Sequence, residues 1–259
     1  MSSPDLQDLA AFAETLADLS RATILARLEE ATAAEIKPDG SPVTAVDRAV
    51  EQALRNRIAA AYPDHGVFGE EFPSLNPDAE RVWVIDPIDG TKQFMAGLPL
   101  YASLIALAER GSFVLGVMDF PATAERWSGG RDLPATHNGK AVKARTCASL
   151  SRAMVCAGTP SRGSERQVAA ILRLARSGLI NVWGSSAYGF ALVASGRIDL
   201  AIDCGLDAYD LAAAAAVVEA AGGLACDWQG NPLTLQSEGE ILLAGDRRVL
   251  DEAVDLLAS

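Results

Sequence analysis

Asp86-Pro87-Ile88-Asp89-Gly90-Thr91 is a segment whose residue types and spacing could do chemistry. The apolar run at 81–88, RVWVIDPI, leads into two aspartates three positions apart, with a proline between them and a glycine after them. Pro87 stiffens the backbone, and Gly90 permits a tight turn with close backbone approach. Two carboxylates held together where a strand gives way to a helix repel each other unless something cationic sits between them. A hard divalent cation meets that need, because Mg²⁺ prefers oxygen ligands. An isolated Asp-Gly would read as a turn with one aspartate capping the next helix. The whole hexapeptide at the end of a buried strand is far more specific.

Two other acidic sites add to it. Gly69-Glu70-Glu71 ends a short apolar strand after a Pro-Asp-His-Gly loop. Tyr209-Asp210-Leu211 opens an Ala-rich helix that closes at Ala221-Gly222-Gly223. Taken singly, Glu70 reads as a solvated strand end and Asp210 as a helix N-cap or first-turn residue.

Several elements must position these groups. Apolar residues from Leu6 to Leu28 follow helical spacing, with Ser3 as the cap and Pro4 at the first position. Residues 37–43, KPDGSPV, read as a turn-rich loop. A second helix starts at Thr44, its N-cap, with Asp47 at the third position, and ends near Tyr62-Pro63. Strands follow at 67–70 and 81–88, then a hairpin of 102–109 with 112–120 turning at Arg110-Gly111. Asn138-Gly139 marks another tight turn. The second half alternates strands near 153–158, 180–184, 197–203 and 224–228 with helices near 164–177, 186–195 and 209–221. Strand 241–244 and helix 247–258 close the chain. This alternation predicts a mixed α/β (α+β) architecture. Gly129-Gly130 and Pro134 predict a division into two lobes, 1–133 with most of the candidate ligands and 134–259 with Asp210.

The 259 residues are 49% apolar, enough for a sizeable core, and carry a net charge of −12. That acidity disfavours nucleic acid and anionic lipid as partners. It also means that any phosphate ester bound here needs local positive charge, which bound cations supply. Cys147, Cys156, Cys204 and Cys226 form no CxxC pair, so reduced thiols in a cytoplasmic protein are expected. The N-terminal segment has no targeting pattern, and no apolar run reaches the ~20 residues needed to span a bilayer. His65 and His137 lie in no motif and read as surface or turn residues.

The ordered set Gly69-Glu70-Glu71, Asp86-Pro-Ile-Asp89-Gly-Thr91, and Tyr209-Asp210 with Glu219-Ala-Ala-Gly-Gly223 resembles the inositol monophosphatase superfamily. Thr44-Ala-Val-Asp47 also matches that family's helix start. The resemblance covers nearly the whole chain. It implies a five-layered αβαβα sandwich of two lobes, homodimer formation, lithium sensitivity, and Mg²⁺-dependent hydrolysis of a small phosphate ester.

It further implies that Glu70, Asp86 and the Ile88 carbonyl hold one Mg²⁺, and that Asp86, Asp89 and Asp210 hold a second. Glu70 would help hold a weaker third ion with Asp47 nearby, and Mn²⁺ could substitute. Such cations acidify a water and neutralise phosphoryl oxygens. Thr91 and Glu70 would orient that water, Glu70 accepting its proton, while the N–H groups of Gly90 and Thr91 hold the phosphate.

Around the alcohol the resemblance implies Ser185, Ser186, Asp203 and Asp207. From the residues alone, a helix cap for Ser185 and a solvated strand end for Asp203 serve equally well. Several stretches are similar to the histidinol-phosphatase branch: Trp83 to Lys92, Glu125-Arg-Trp127, Gly205 to Asp210, Asp227 to Leu233, and Leu243 to Asp246. Histidinol phosphate in histidine biosynthesis is then the expected substrate, with Asp203 and Asp207 pairing its cationic groups. That branch usually has an aspartate where Ser186 stands here; Gly-Ser-Ser-Ala is closer to the inositol-phosphatase pattern. The alternatives are an inositol-1-monophosphatase or a broad-specificity sugar-phosphate phosphatase. No added basic cluster favours a second phosphate. A non-catalytic regulatory scaffold is the alternative from another class.

Overall fold

Helix α1 (Leu6–Leu25) starts at Asp5, whose carboxylate accepts the Asp8 N–H at 2.8 Å. The expected cap at Ser3 and Pro4 lies outside the residues that this computed structural model describes, namely 5–38, 40–159 and 163–258. Strands β1 (Ala34–Ile36) and β2 (Pro42–Thr44) form an antiparallel hairpin, so the expected 37–43 loop is its turn and the start of β2. Helix α2 (Ala45–Ala61) follows with Thr44 as N-cap and a capping box to Asp47, as the sequence predicts.

A seven-stranded sheet comes next. It contains β3 (Gly66–Gly69), β4 (Arg81–Asp89), β5 (Ala102–Glu109), β6 (Ser112–Phe120), β7 (Glu125–Gly130), β8 (Leu133–His137) and β9 (Lys140–Ala141), side by side in chain order. The β3–β4 pair is parallel and every later pair antiparallel. The short helix α3 (Thr91–Met95) lies between β4 and β5. The division expected at 133/134 falls at the start of β8, inside this sheet. Gly129 and Gly130 belong to β7. A Cβ on Gly129 would lie 2.7 Å from Ala220 Cβ, and one on Gly130 would lie 2.6 Å from the Val114 carbonyl oxygen. They are glycines because neighbouring chain crowds against the strand.

The second sheet interleaves with helices: β10 (Met154–Ala157), α4 (Glu165–Ser177), β11 (Ile180–Trp183), α5 (Ser186–Ala194), β12 (Leu200–Asp203), α6 (Ala208–Ala220), β13 (Leu224–Cys226), β14 (Ile241–Ala244) and α7 (Arg247–Ala258). Its strand order is β11-β10-β12-β14-β13.

Period-two alternation sorts the side chains into layers. On β5, Ile105 and Leu107 pack with α1 and α2, whereas Leu104, Ala106 and Ala108 pack with α5 and α6. On the second sheet, Cys156, Ala201 and Leu243 face α5 and α6, whereas Val155, Leu200 and Leu242 face α4 and α7. The result is helix, sheet, helix, sheet, helix: the expected αβαβα sandwich. Helix α6, buried along nearly its whole length, is the middle layer. Its alanines let it approach so closely that a Cβ on Gly116 of β6 would meet the Ala213 carbonyl oxygen at 2.3 Å.

Neither histidine is a plain surface residue. His65 stacks on Tyr62 and its Nδ1 accepts the Trp83 indole N–H at 3.1 Å. His137 stacks on Trp127 with ring centroids 3.9 Å apart. All four cysteines are free thiols, three of them buried.

Gly116→Ala should destabilise the fold by about 1–3 kcal/mol, the usual cost of overpacking a tight core. Urea unfolding of the variant against the native chain checks this.

Candidate active site

A bulge brings the two central aspartates together. Asp86 pairs with Leu104 and Asp89 with Ala102, so β4 spends three steps where β5 spends two. In a regular strand, residues three apart point to opposite faces; one extra residue reverses that parity. Pro87, which has no N–H to leave unpaired, sits inside the irregularity. Asp86 Oδ1 accepts the Ile88 N–H at 3.0 Å, and the Thr91 hydroxyl donates to the Ile88 carbonyl at 3.2 Å. Gly90 takes φ +80°, the left-handed turn that glycine allows.

Asp210 arrives from the other sheet's side, in the first turn of α6, where its Oδ2 accepts the Asp207 N–H at 2.7 Å. One carboxylate oxygen from each of Asp86, Asp89 and Asp210 lies within 4.8 Å of the others. Asp89 Oδ2 also accepts the Ala187 N–H at 3.0 Å, which ties the cluster to the start of α5.

Glu70 stands at the end of β3, on a turn held by a residue absent from the sequence-based set. Glu51 of α2 is fully buried; its Oε2 accepts the Glu71 N–H at 2.7 Å and its Oε1 the Arg55 guanidinium, also at 2.7 Å. Gly69 is what admits that carboxylate, since a Cβ there would lie 2.3 Å from Glu51 Oε1. Glu51 and Arg55 are four apart on one helix, a pairing visible in the sequence. Lys37 is a second addition: its ammonium donates to Glu70 at 2.8 Å and to Glu71 at 2.7 Å. Burial works against that charge, but the two carboxylates hold the ammonium above its usual range. Burial pushes Glu71 up to about 7 despite Lys37, with Glu70's charge adding to the rise. Nothing in the 37–43 turn pattern singled Lys37 out.

These groups share one cavity of about 150 Å³. Glu70, Asp86, Ile88, Asp89, Gly90, Thr91, Ser186, Asp203 and Asp210 all line it; Gln93 and Thr159 also face it. Asp203 fits because Gly158 has no side chain to occupy the space of its carboxylate. Two expected alcohol-side residues, Ser185 and Asp207, are not among the lining residues. Ser185 occupies the N-cap position of α5 without a side-chain cap bond, and Asp207 accepts the Tyr209 hydroxyl at 2.8 Å. Asp47 lies beneath the site, buried, with Oδ2 taken by Thr44 and Oδ1 without a hydrogen-bond partner.

The donor set fits a hard divalent cation. It is all oxygen; Lys37 pairs with Glu70 and Glu71, and Lys92 also lines the cavity, but no ion pair to Asp86 is seen among the described residues. Burial, then the charges of Glu70, Asp89, Asp210 and Asp47, push the Asp86 carboxyl well above the usual range. Buried carboxylates under such mutual repulsion are what a divalent ion relieves.

A family model described as the inositol monophosphatase family matches residues 5–257. The chain belongs to that family and is a phosphoric monoester hydrolase of its metal-dependent type, acting on small phosphate esters. It is 40% identical over 210 residues to a histidinol-phosphatase of Chlorobaculum parvum, covering 78% of this chain and 79% of that protein. It is 34% identical over 266 residues to the bifunctional phosphatase IMPL2, chloroplastic, of Arabidopsis thaliana, covering 99% and 77%. Among solved structures, an inositol monophosphatase from Zymomonas mobilis superposes with a TM-score of 0.88 at 34% identity, covering 99% and 100%. No helix among the described residues is long and apolar enough to cross a membrane.

The raised Asp86 carboxyl has a consequence for stability. Its folded value exceeds the unfolded one, so its contribution is fully present below about pH 4 and is lost as pH rises toward the folded value. Asp86→Asn removes the ionisable group at nearly constant shape. In chelator, the variant's thermal midpoint should therefore gain on the native protein's as pH is raised from 4 to 8, as scanning calorimetry can measure.

Proposed function

We propose that this phosphatase is Mg²⁺-dependent and hydrolyses histidinol phosphate to histidinol and phosphate, in histidine biosynthesis. The observation that carries the reading is a second acidic wall in the same cavity: Asp203 faces the space beside the Asp86, Asp89 and Asp210 cluster. A carboxylate there suits an alcohol that bears a positive charge. The 40% identity to a histidinol-phosphatase points the same way.

In this reading Asp86, Asp89, Asp210, Glu70 and the Ile88 carbonyl would hold Mg²⁺, with Asp47 near a third and weaker position. Mg²⁺ bound there supplies charge neutralisation at phosphoryl oxygens and a water of lowered pKa. The N–H groups of Gly90 and Thr91, at the turn from β4 to α3, hold the phosphate. The Thr91 hydroxyl donates to the Ile88 carbonyl, so its oxygen remains an acceptor that orients the attacking water. Glu70 takes that water's proton. The bond from phosphorus to the ester oxygen breaks, and the leaving alkoxide takes up a proton. No phosphoenzyme is required. Two or three Mg²⁺ per site, Mn²⁺ as a substitute, lithium sensitivity and a cytoplasmic location belong to the same reading. So does a homodimer, supported by the exposed Leu179 and by Ile180 and Trp183 of the edge strand β11 that follows it.

An inositol-1-monophosphatase or broad sugar-phosphate phosphatase is the second reading. It is favoured by Ser186, a neutral side chain in the cavity wall, and by the likeness to the Zymomonas mobilis enzyme.

A phosphate-release panel separates the two. With Mg²⁺, histidinol phosphate should be hydrolysed with a kcat/KM at least about tenfold above that for myo-inositol 1-phosphate, the factor expected from one well-placed ion pair. Ready release from the inositol ester and hardly any from histidinol phosphate would sink the first reading.

A further inference from the structure

Gln93 belongs to no motif, yet it crosses the cavity wall from α3 to α5. Its Nε2 donates to Ser186 Oγ at 2.9 Å, joining residues ninety-three positions apart. Both side chains line the cavity. Both also sit over Gly90: a Cβ built on that glycine would lie 3.3 Å from Gln93 Oε1 and 3.4 Å from Ser186 Oγ. The pair therefore stands directly beside the turn that follows the two central aspartates.

The backbone of Ser186 is held in a conformation that serines seldom adopt, with φ +47°. Two contacts hold this start of α5 in place: the Gln93 bond to the side chain, and Asp89 Oδ2 accepting the N–H of Ala187 at 3.0 Å. A left-handed non-glycine residue over-determined by its surroundings is a common feature of ligand-facing sites.

Hydrogen-bond accounting fixes what this wall offers. Ser186 Oγ accepts from Gln93, so the hydroxyl hydrogen is left to donate elsewhere, and the Gln93 amide has a second N–H. Neither group carries charge. An ammonium is better served by Asp203, which lines the same cavity. A hydroxyl or an unprotonated ring nitrogen is the complementary group for a neutral donor wall.

We propose that Gln93 is a specificity-determining residue: with Ser186 it forms a neutral polar wall that binds an uncharged hydrogen-bonding group of the substrate's alcohol. This rests on the reading of the cavity as a phosphatase site with the alcohol beside Ser186. It does not require that the alcohol be histidinol.

The test compares two esters with the Mg²⁺-loaded enzyme. One is the polar ester that the native enzyme hydrolyses best in a panel of histidinol phosphate and inositol phosphates. The other is propyl phosphate, which has no polar group beyond the ester. In Gln93→Leu the ratio of kcat/KM for the polar ester to that for propyl phosphate should fall about three- to tenfold, the loss of one neutral hydrogen bond. KM for the polar ester should carry most of the change. Ser186→Ala should give a fall of similar size, and the double variant one no larger than either, because the two act as a unit. Gln93→Met, of nearly equal volume and without a hydrogen-bond donor, serves where the leucine variant fails to fold and should lower the same ratio. An unchanged ratio, or additive losses in the double variant, overturns the proposal. Failure of histidinol phosphate as a substrate would leave the test standing, since the polar ester is chosen by the enzyme.

Discussion

Repulsion among buried carboxylates is the constraint around which this molecule is arranged. Asp86 is 1% exposed, and Asp47, Glu70, Asp89 and Asp210 all act on it electrostatically. Left to itself, such a cluster would protonate or open. The fold instead fixes it from several directions: a bulge in β4, the strand end of β3, the capping box of α2 and the first turn of α6. Lys37 compensates part of the charge from the rim, through Glu70 and Glu71. What remains is mutual repulsion that a bound divalent cation would relieve.

The layered architecture explains why these groups can be held so closely. Asp86 and Asp89 belong to one sheet, whereas Asp210 opens the helix packed between the two sheets. An alanine-rich α6 brings that helix near enough to β6 that Gly116 tolerates no side chain. Gly69 and Gly158 serve similar ends around Glu51 and Asp203. The positions without side chains are thus where the chain makes room for charged ones that matter.

Much of the site was legible in the sequence because its signals are local. A hexapeptide at the end of an apolar strand exposed Asp86 and Asp89; capping patterns placed Asp47 and Asp210 at helix starts, and only the resemblance joined them to the site. Strand and helix spacing led to a mixed α/β architecture, the family resemblance to the αβαβα order, and the β5–β6 hairpin fell at the expected residues. The misreadings were non-local. Gly129 and Gly130 suggested a division between lobes because the crowding that selects glycine comes from Val114 and Ala220, distant in the chain. Ser185 and Asp207, expected beside the alcohol, are not among the residues lining the cavity. Lys37 and Gln93 act through partners 33 and 93 positions away, and Glu51, besides Arg55 on its own helix, holds a partner 20 positions away; no motif encodes these distant pairs.

The central claim is that the carboxylate cluster exists to hold divalent cations. Titrating the metal-free protein with Mn²⁺, with unbound ion followed by electron paramagnetic resonance, addresses it directly. Repulsion relieved by metal predicts saturable binding in the native chain that Asp86→Asn abolishes while circular dichroism shows the fold intact. Equal Mn²⁺ binding in the two proteins, or none in the native chain, would contradict it.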